Sequence, residues 1–339
     1  LIKHFYFLFL ICFSALRAQE MNYSMPHLVP LVSNPAYTGN FNGTYRISAF
    51  ARNQNININN TSMPGTYNSY GMIADAQILK EKTGDNTFGI GILFNNDHAG
   101  MGSLTTTDLK LSASYRLSLN RFQTSFLTAG IMGGLSSKRI FNKDLVFENQ
   151  VDGFEFNPNI PNFEDFLDGA TRTQFNYSIG VLYQQKTSDQ FGFQFGVSIY
   201  NLAGPSDFFL QESKSFTYNR YSFMGGLEIN SDESLYILPS FYYFQQGDAR
   251  QLNLGINIRK MIQEDFGITG GIRYRLNDAI IPQVGMIYQN FQVYLSYDHT
   301  VSSLAQANLS NGAFELNFSY IFGNQEDFSY NGKQFCPTF

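Results

Sequence analysis

Leu109, Leu111, Ala113, Tyr115 and Leu117 fall on one parity of a single run, and Lys110, Ser112, Ser114 and Arg116 fall on the other. Side chains alternate across a β-strand, so this run is a strand with one apolar and one polar face. The same pattern returns along the chain. Tyr45, Ile47, Ala49 and Ala51 alternate with Arg46, Ser48, Phe50 and Arg52, and Phe88, Ile90, Ile92 and Phe94 follow with Gly89 and Gly91 between them. Later come Phe175 to Tyr183, Phe191 to Ile199, and Leu252 to Ile258 opposite Asn253, Gly255 and Asn257. Ile272 and Tyr274 are set against Arg273 and Arg275. The last hairpin sets Phe291, Val293, Leu295 and Tyr297 beside Phe314, Leu316, Phe318, Tyr320 and Phe322.

In a soluble sheet every apolar face needs a covering layer, and nothing in the chain supplies one. Lipid is the alternative cover. Charged residues make up 14% of the chain, against about 25% in soluble domains, while aromatics reach 16%. Beyond the N-terminus there is no apolar run of the roughly 18 residues that a spanning helix requires. The expected fold is therefore all-β, a transmembrane antiparallel barrel of about 14 strands of the outer-membrane type. Tyr115, Tyr183, Tyr274, Tyr297 and Tyr320, near strand ends, suit an interfacial aromatic belt.

Residues 1–18 read as a secretory signal peptide, with Lys3 and His4 before an apolar run that ends at small residues near Ala18. Residues 19–43 lack periodicity and are expected as a periplasmic N-terminal segment. Residues 44–322 are the barrel, and residues 323–339 a periplasmic tail. With the N-terminus on the periplasmic side, the connections after 54, 138, 201 and 301 are long and face outward, while those near 120, 230 and 289 are short. Two connections fit less well: 77–86 is long for its side, and the turn at Asn277 and Asp278 is short. With the leader removed, Cys336 is the one remaining thiol, either intermolecular or without structural role.

No catalytic, cofactor or metal motif stands out. Asp298 and His299 lie near Ser302 and Ser303, but adjacent strand residues point to opposite faces, which separates an Asp–His dyad. The four histidines have no liganding neighbours at a useful spacing. A net charge of −5 leaves no basic footprint for nucleic acid. Arg46, Arg52, Lys110, Arg116, Arg273 and Arg275 share the polar parity, with Asp108 and Glu315 as counter-charges. They form a candidate lumen charge network, read either as filling for the barrel or as a grip on an inserted peptide. The turn at Ser33 to Asn40 is read as a lead-in to the first strand, a plug, or a docking surface.

Several motifs resemble one family. They are NPAYTG at Asn34 to Gly39, ARNQ at Ala51 to Gln54, NND at Asn95 to Asp97, GVSIYNL at Gly196 to Leu202 and LPSF at Leu238 to Phe241. RYRLNDAI at Arg273 to Ile280 and FCPTF at Phe335 to Phe339 complete the set. In order and spacing the chain resembles the PorP/SprF-like outer-membrane proteins of the type IX secretion system in Bacteroidota. It departs from them at Asn55, at Ala313 and Phe314, and at Thr338. The resemblance implies a non-enzymatic accessory barrel in the cell outer membrane, surrounded by lipid and working with other type IX secretion or gliding components. It also implies, as a possible partner class, a surface protein carrying a C-terminal sorting domain. Candidate periplasmic docking residues are Asn34, Pro35, Tyr37, Gly39, Phe335, Cys336, Pro337 and Phe339. The alternative is a stand-alone porin or small-solute transporter.

Overall fold

The structure, a computed structural model, describes residues 23–54, 67–80, 86–99, 104–122, 124–140, 150–152, 155–156, 160, 171–204, 217–232, 234–302 and 312–323. Fourteen long strands form the wall. They are β1 Tyr45–Gln54, β2 Tyr67–Lys80, β3 Thr87–Ala99, β4 Leu104–Ser118, β5 Ser125–Arg139, β6 Thr171–Ser188 and β7 Phe191–Tyr200. The second half comprises β8 Arg220–Asp232, β9 Leu235–Gln246, β10 Ala249–Gln263, β11 Phe266–Arg275, β12 Ala279–Tyr288, β13 Phe291–Tyr297 and β14 Ala313–Phe322. Each strand pairs antiparallel with its sequence neighbour, and β14 pairs with β1 from Tyr45↔Phe322 to Gln54↔Ala313. The sheet thus closes on itself, which removes the two edges that lipid cannot satisfy.

The alternation seen in the sequence decides which face is which. In β1, Tyr45, Ile47, Ala49 and Ala51 are exposed on the outside, while Arg46, Ser48, Phe50 and Arg52 are buried within. Leu111 is 67% exposed and Ile131 62%, values that suit a surface meant for hydrocarbon rather than water. Tyr45, Tyr115, Tyr288, Phe291 and Phe322 lie toward the short-turn end of the outer face, and Tyr70, Tyr177, Tyr221, Tyr274 and Phe314 toward the long-loop end. These two aromatic groups bracket the apolar band.

Several boundaries differ from the expectation. Strand β2 runs on to Lys80, so the connection that looked long at 77–86 shrinks to 81–86. Strand β6 extends from Thr171 to Ser188, and its long-loop end projects beyond the alternating stretch. The single expected strand across 291–300 is interrupted at Asp298, after which His299–Thr300 pairs with Ala279 and Ile280 of β12. Within the connection between β5 and β6, Val151–Asp152 and Glu155–Phe156 make a short separate ladder.

Residues 23–43 fill the inside of the ring. Two 3₁₀ turns, Pro26–Leu28 and Pro35–Tyr37, flank one α-helical turn, Pro30–Ser33, and each opens on a proline whose missing N–H costs nothing there. The segment leaves β1 at the short-turn end, where Thr44 N donates to Phe322 O, and rises to the long-loop end, where Ser24 meets Glu315. An apolar cluster of Tyr23, Val29 and Leu31 with Phe50, Ile73, Leu93 and Met132 joins it to the wall. Phe50 sits on the polar parity of β1 because it meets the Tyr23 ring edge-on, with centroids 4.9 Å apart.

Candidate functional site

The candidate site is the contact between this inner segment and the lumen wall. Asn34, Pro35, Tyr37 and Gly39, candidates for a periplasmic docking surface on a turn also read as a plug, lie inside the barrel. Asn34 is 0% exposed, Pro35 and Gly39 are buried, and Tyr37 is half-buried. The physical reason is that an irregular segment carries unpaired backbone groups, and a polar lumen wall can satisfy them. The Asn34 amide donates to Val181 O at 3.1 Å and Val197 O at 3.2 Å, while its own Oδ1 accepts from Ala36 N at 2.9 Å. Thr38 Oγ1 meets Ser112 Oγ at 2.5 Å, and Ser114 Oγ donates to Thr38 O at 2.6 Å. Further along, Tyr200 OH donates to Leu31 O, Ser198 Oγ to Ser33 O and Arg220 Nη2 to Val32 O.

Glycines make room for this turn. A Cβ on Gly130 would lie 2.5 Å from Ala36 N and from the Pro35 carbonyl, and one on Gly91 would press on Thr38 and Leu31. Gly39 itself has φ +65°, a conformation that glycine adopts without strain. Gly89, Gly180 and Gly196 face Thr38 or Asn34 in the same way. Sequence reasoning missed this track, although its signal was present as glycines at inward parity, where the pattern otherwise called for polar side chains.

Two ionic clusters hold the ends of the segment. At the short-turn end Arg46 binds Asp75 through two parallel bonds, Nε to Oδ1 at 2.9 Å and Nη2 to Oδ2 at 2.7 Å. Asp75 Oδ2 also accepts from Gly39 N at 2.8 Å, and the Arg46 guanidinium lies 4.7 Å from the centre of the Phe41 ring. At the long-loop end Glu315, 0% exposed, accepts Ser24 N at 2.5 Å and Met25 N at 3.1 Å. Beside it Asp298 accepts Arg52 Nη2 at 3.0 Å, Arg275 Nη2 at 2.8 Å and Ser24 Oγ at 2.5 Å. Charged bonds of this length between buried groups fix geometry strongly.

The other network candidates lie apart from these clusters. Arg273 is bonded to neutral groups, Asn253 at 2.9 Å and Ser240 at 3.0 Å, with His27 Nδ1 at 3.5 Å. Arg116 stacks on Phe126 with 3.7 Å to the ring centre, and Asp108 pairs with Lys110 at 3.2 Å on the same strand. Asp298 is committed to two arginines, and His299 is exposed on the opposite face, so the pair forms no dyad. Phe335, Cys336, Pro337 and Phe339 lie outside the described residues, as do residues 1–18.

A closed antiparallel barrel with an apolar, aromatic-bordered exterior and a polar interior is an outer-membrane β-barrel protein. The model for the type IX secretion system membrane protein PorP/SprF matches residues 15–320. The chain belongs to the PorP/SprF family of membrane proteins, and a closed barrel of this kind has its place in the outer membrane. Among solved structures, a deletion mutant of the TodX monoaromatic hydrocarbon channel is 9% identical, with a TM-score of 0.51, 85% of this chain and 92% of that one covered. The toluene transporter TbuX of Ralstonia pickettii is 10% identical with a TM-score of 0.48, covering 86% and 93% of the two chains. A FadL homologue of Pseudomonas aeruginosa is 9% identical with a TM-score of 0.48, covering 85% and 93%. At such identities the likeness concerns the fold alone. No curated protein matches the chain.

Proposed function

We propose that this barrel is a non-enzymatic docking or anchoring component of the type IX secretion or gliding machinery. In this reading it holds secreted surface proteins by its outer loops and periplasmic machinery by its short-turn end and tail. The observation that carries the reading is the occupied lumen. Residues 23–43 run through the barrel and are fastened at both ends by buried ion pairs, an arrangement suited to a rigid platform rather than a standing pore. Family membership adds the secretion context. The porin alternative needs a wide open lumen, and the segment occupies that space.

The test is mild-detergent purification of the barrel from its own cells, with identification of co-eluting proteins. Secretion components or a surface protein bearing a C-terminal sorting domain are the expected companions. Consistent recovery of the barrel alone, from cells actively exporting such proteins, would sink the docking reading. Deleting residues 324–339 should reduce recovery of the periplasmic companions while leaving barrel assembly intact.

A further inference from the structure

The outer end of the inner segment, Ser24 to His27, is bonded to Asn253, Arg273 and Glu315, but its middle is not held equally on all sides. Residues 31–41 are hydrogen-bonded to β1, β2, β4, β6, β7 and β8. On the side of β13 and β14 there is instead a cavity of about 70 Å³, between Leu28, Pro30 and Asn40 of the segment and Tyr294, Asn317 and Ser319 of the wall. Buried polar atoms lacking a hydrogen-bond partner gather on this same side. Tyr294 OH and Asn317 Oδ1 belong to side chains that line the cavity, and each residue is 4% exposed. Ser296 Oγ, Gln283 Oε1 and Thr269 Oγ1 continue the series across β13, β12 and β11, on residues no more than 5% exposed. Register sets them at two levels: Thr269, Tyr294 and Asn317 share one, through Gly285, and Gln283, Ser296 and Glu315 share the next one up. The series ends at Glu315 and Asp298, the cluster that grips Ser24.

Buried hydroxyls and amide oxygens without partners are sites for water, and a water needs about 10–15 Å³ of such space, so the cavity holds roughly five. The lining sets the neutral polar groups of Asn40, Ser48, Gln194 and Asn317 among apolar ones such as Leu28 and Phe318, while its one guanidinium, Arg46, is already neutralised by Asp75. Such a mixed, uncharged lining suits small neutral solutes that carry both hydroxyl or amide groups and a carbon skeleton.

We propose that the β11–β14 side of the lumen is a hydrated conduit for water and small neutral polyols or amides. It is closed at its outer end by the Glu315 grip on the Ser24 and Met25 amides. The barrel then has a gated permeation path in addition to its docking role, and the two are independent. In proteoliposome swelling with glycerol and with urea, the wild-type barrel should stay near the protein-free rate. Glu315→Ala, which removes both amide acceptors, should raise the glycerol and urea rates at least tenfold, with stachyose still excluded. Ser24→Pro, which removes one gripped N–H and the hydroxyl bonded to Asp298 and Arg52 while leaving every wall side chain in place, should do the same and covers the case in which Glu315→Ala fails to fold. Adding Asn317→Phe to either variant should return the rates to the wild-type value by filling the cavity. A folded, heat-modifiable variant with unchanged rates overturns the gate, and fast flux that survives Asn317→Phe overturns the assigned path.

Discussion

Single residues carry unequal weight in this lumen, and burial explains the ranking. Asp298 is the shared acceptor for Arg52 and Arg275, and both guanidinium groups are almost fully buried. Asp298→Asn leaves Arg52 with Glu315 at 3.7 Å and Arg275 with the more exposed Asp278, so the loss should fall short of about 3–5 kcal/mol, the usual cost when a buried charge loses its sole partner. Urea unfolding in detergent should record it as a clearly lower midpoint. Asp108→Asn disturbs the less enclosed Asp108–Lys110 pair and should cost under about 1 kcal/mol.

Elements were legible to the degree that they repeat. The strands declared themselves because Leu109 to Leu117 and Phe314 to Phe322 alternate without a break, and membrane walls exaggerate that alternation. Parity alone identified Arg46, Arg52 and Glu315 as inward-facing, but it does not fix register, so their partners Asp75 and Asp298 were missed. The inner segment was least legible. NPAYTG reads as a turn from its Pro and Gly, and nothing local says that the turn rises into a lumen. Its fit against the wall can be tested at Gly130. Gly130→Leu should displace Pro35 and Ala36 and make the segment cleavable by added protease while the barrel stays heat-modifiable. Gly133→Leu, on the outer face three positions further along β5, should leave the segment protected.

For the whole molecule, the segment and the wall are stabilised by each other: polar strands that would line open water are instead paired with a peptide. Removing residues 23–43 should convert a barrel with little activity in planar bilayers into one with large, stable conductance steps, and lower its unfolding midpoint as well. Wild-type steps of the same size would contradict an occupied lumen. The grip on Ser24 also bears on how the molecule assembles. Glu315 lies on β14, the strand that zips to β1 to close the ring, and Asp298 lies just before it in space. Until that last strand arrives, Ser24 and Met25 have no carboxylate to accept their amides. Circularisation of the ring and fastening of the outer end of the segment are therefore coupled.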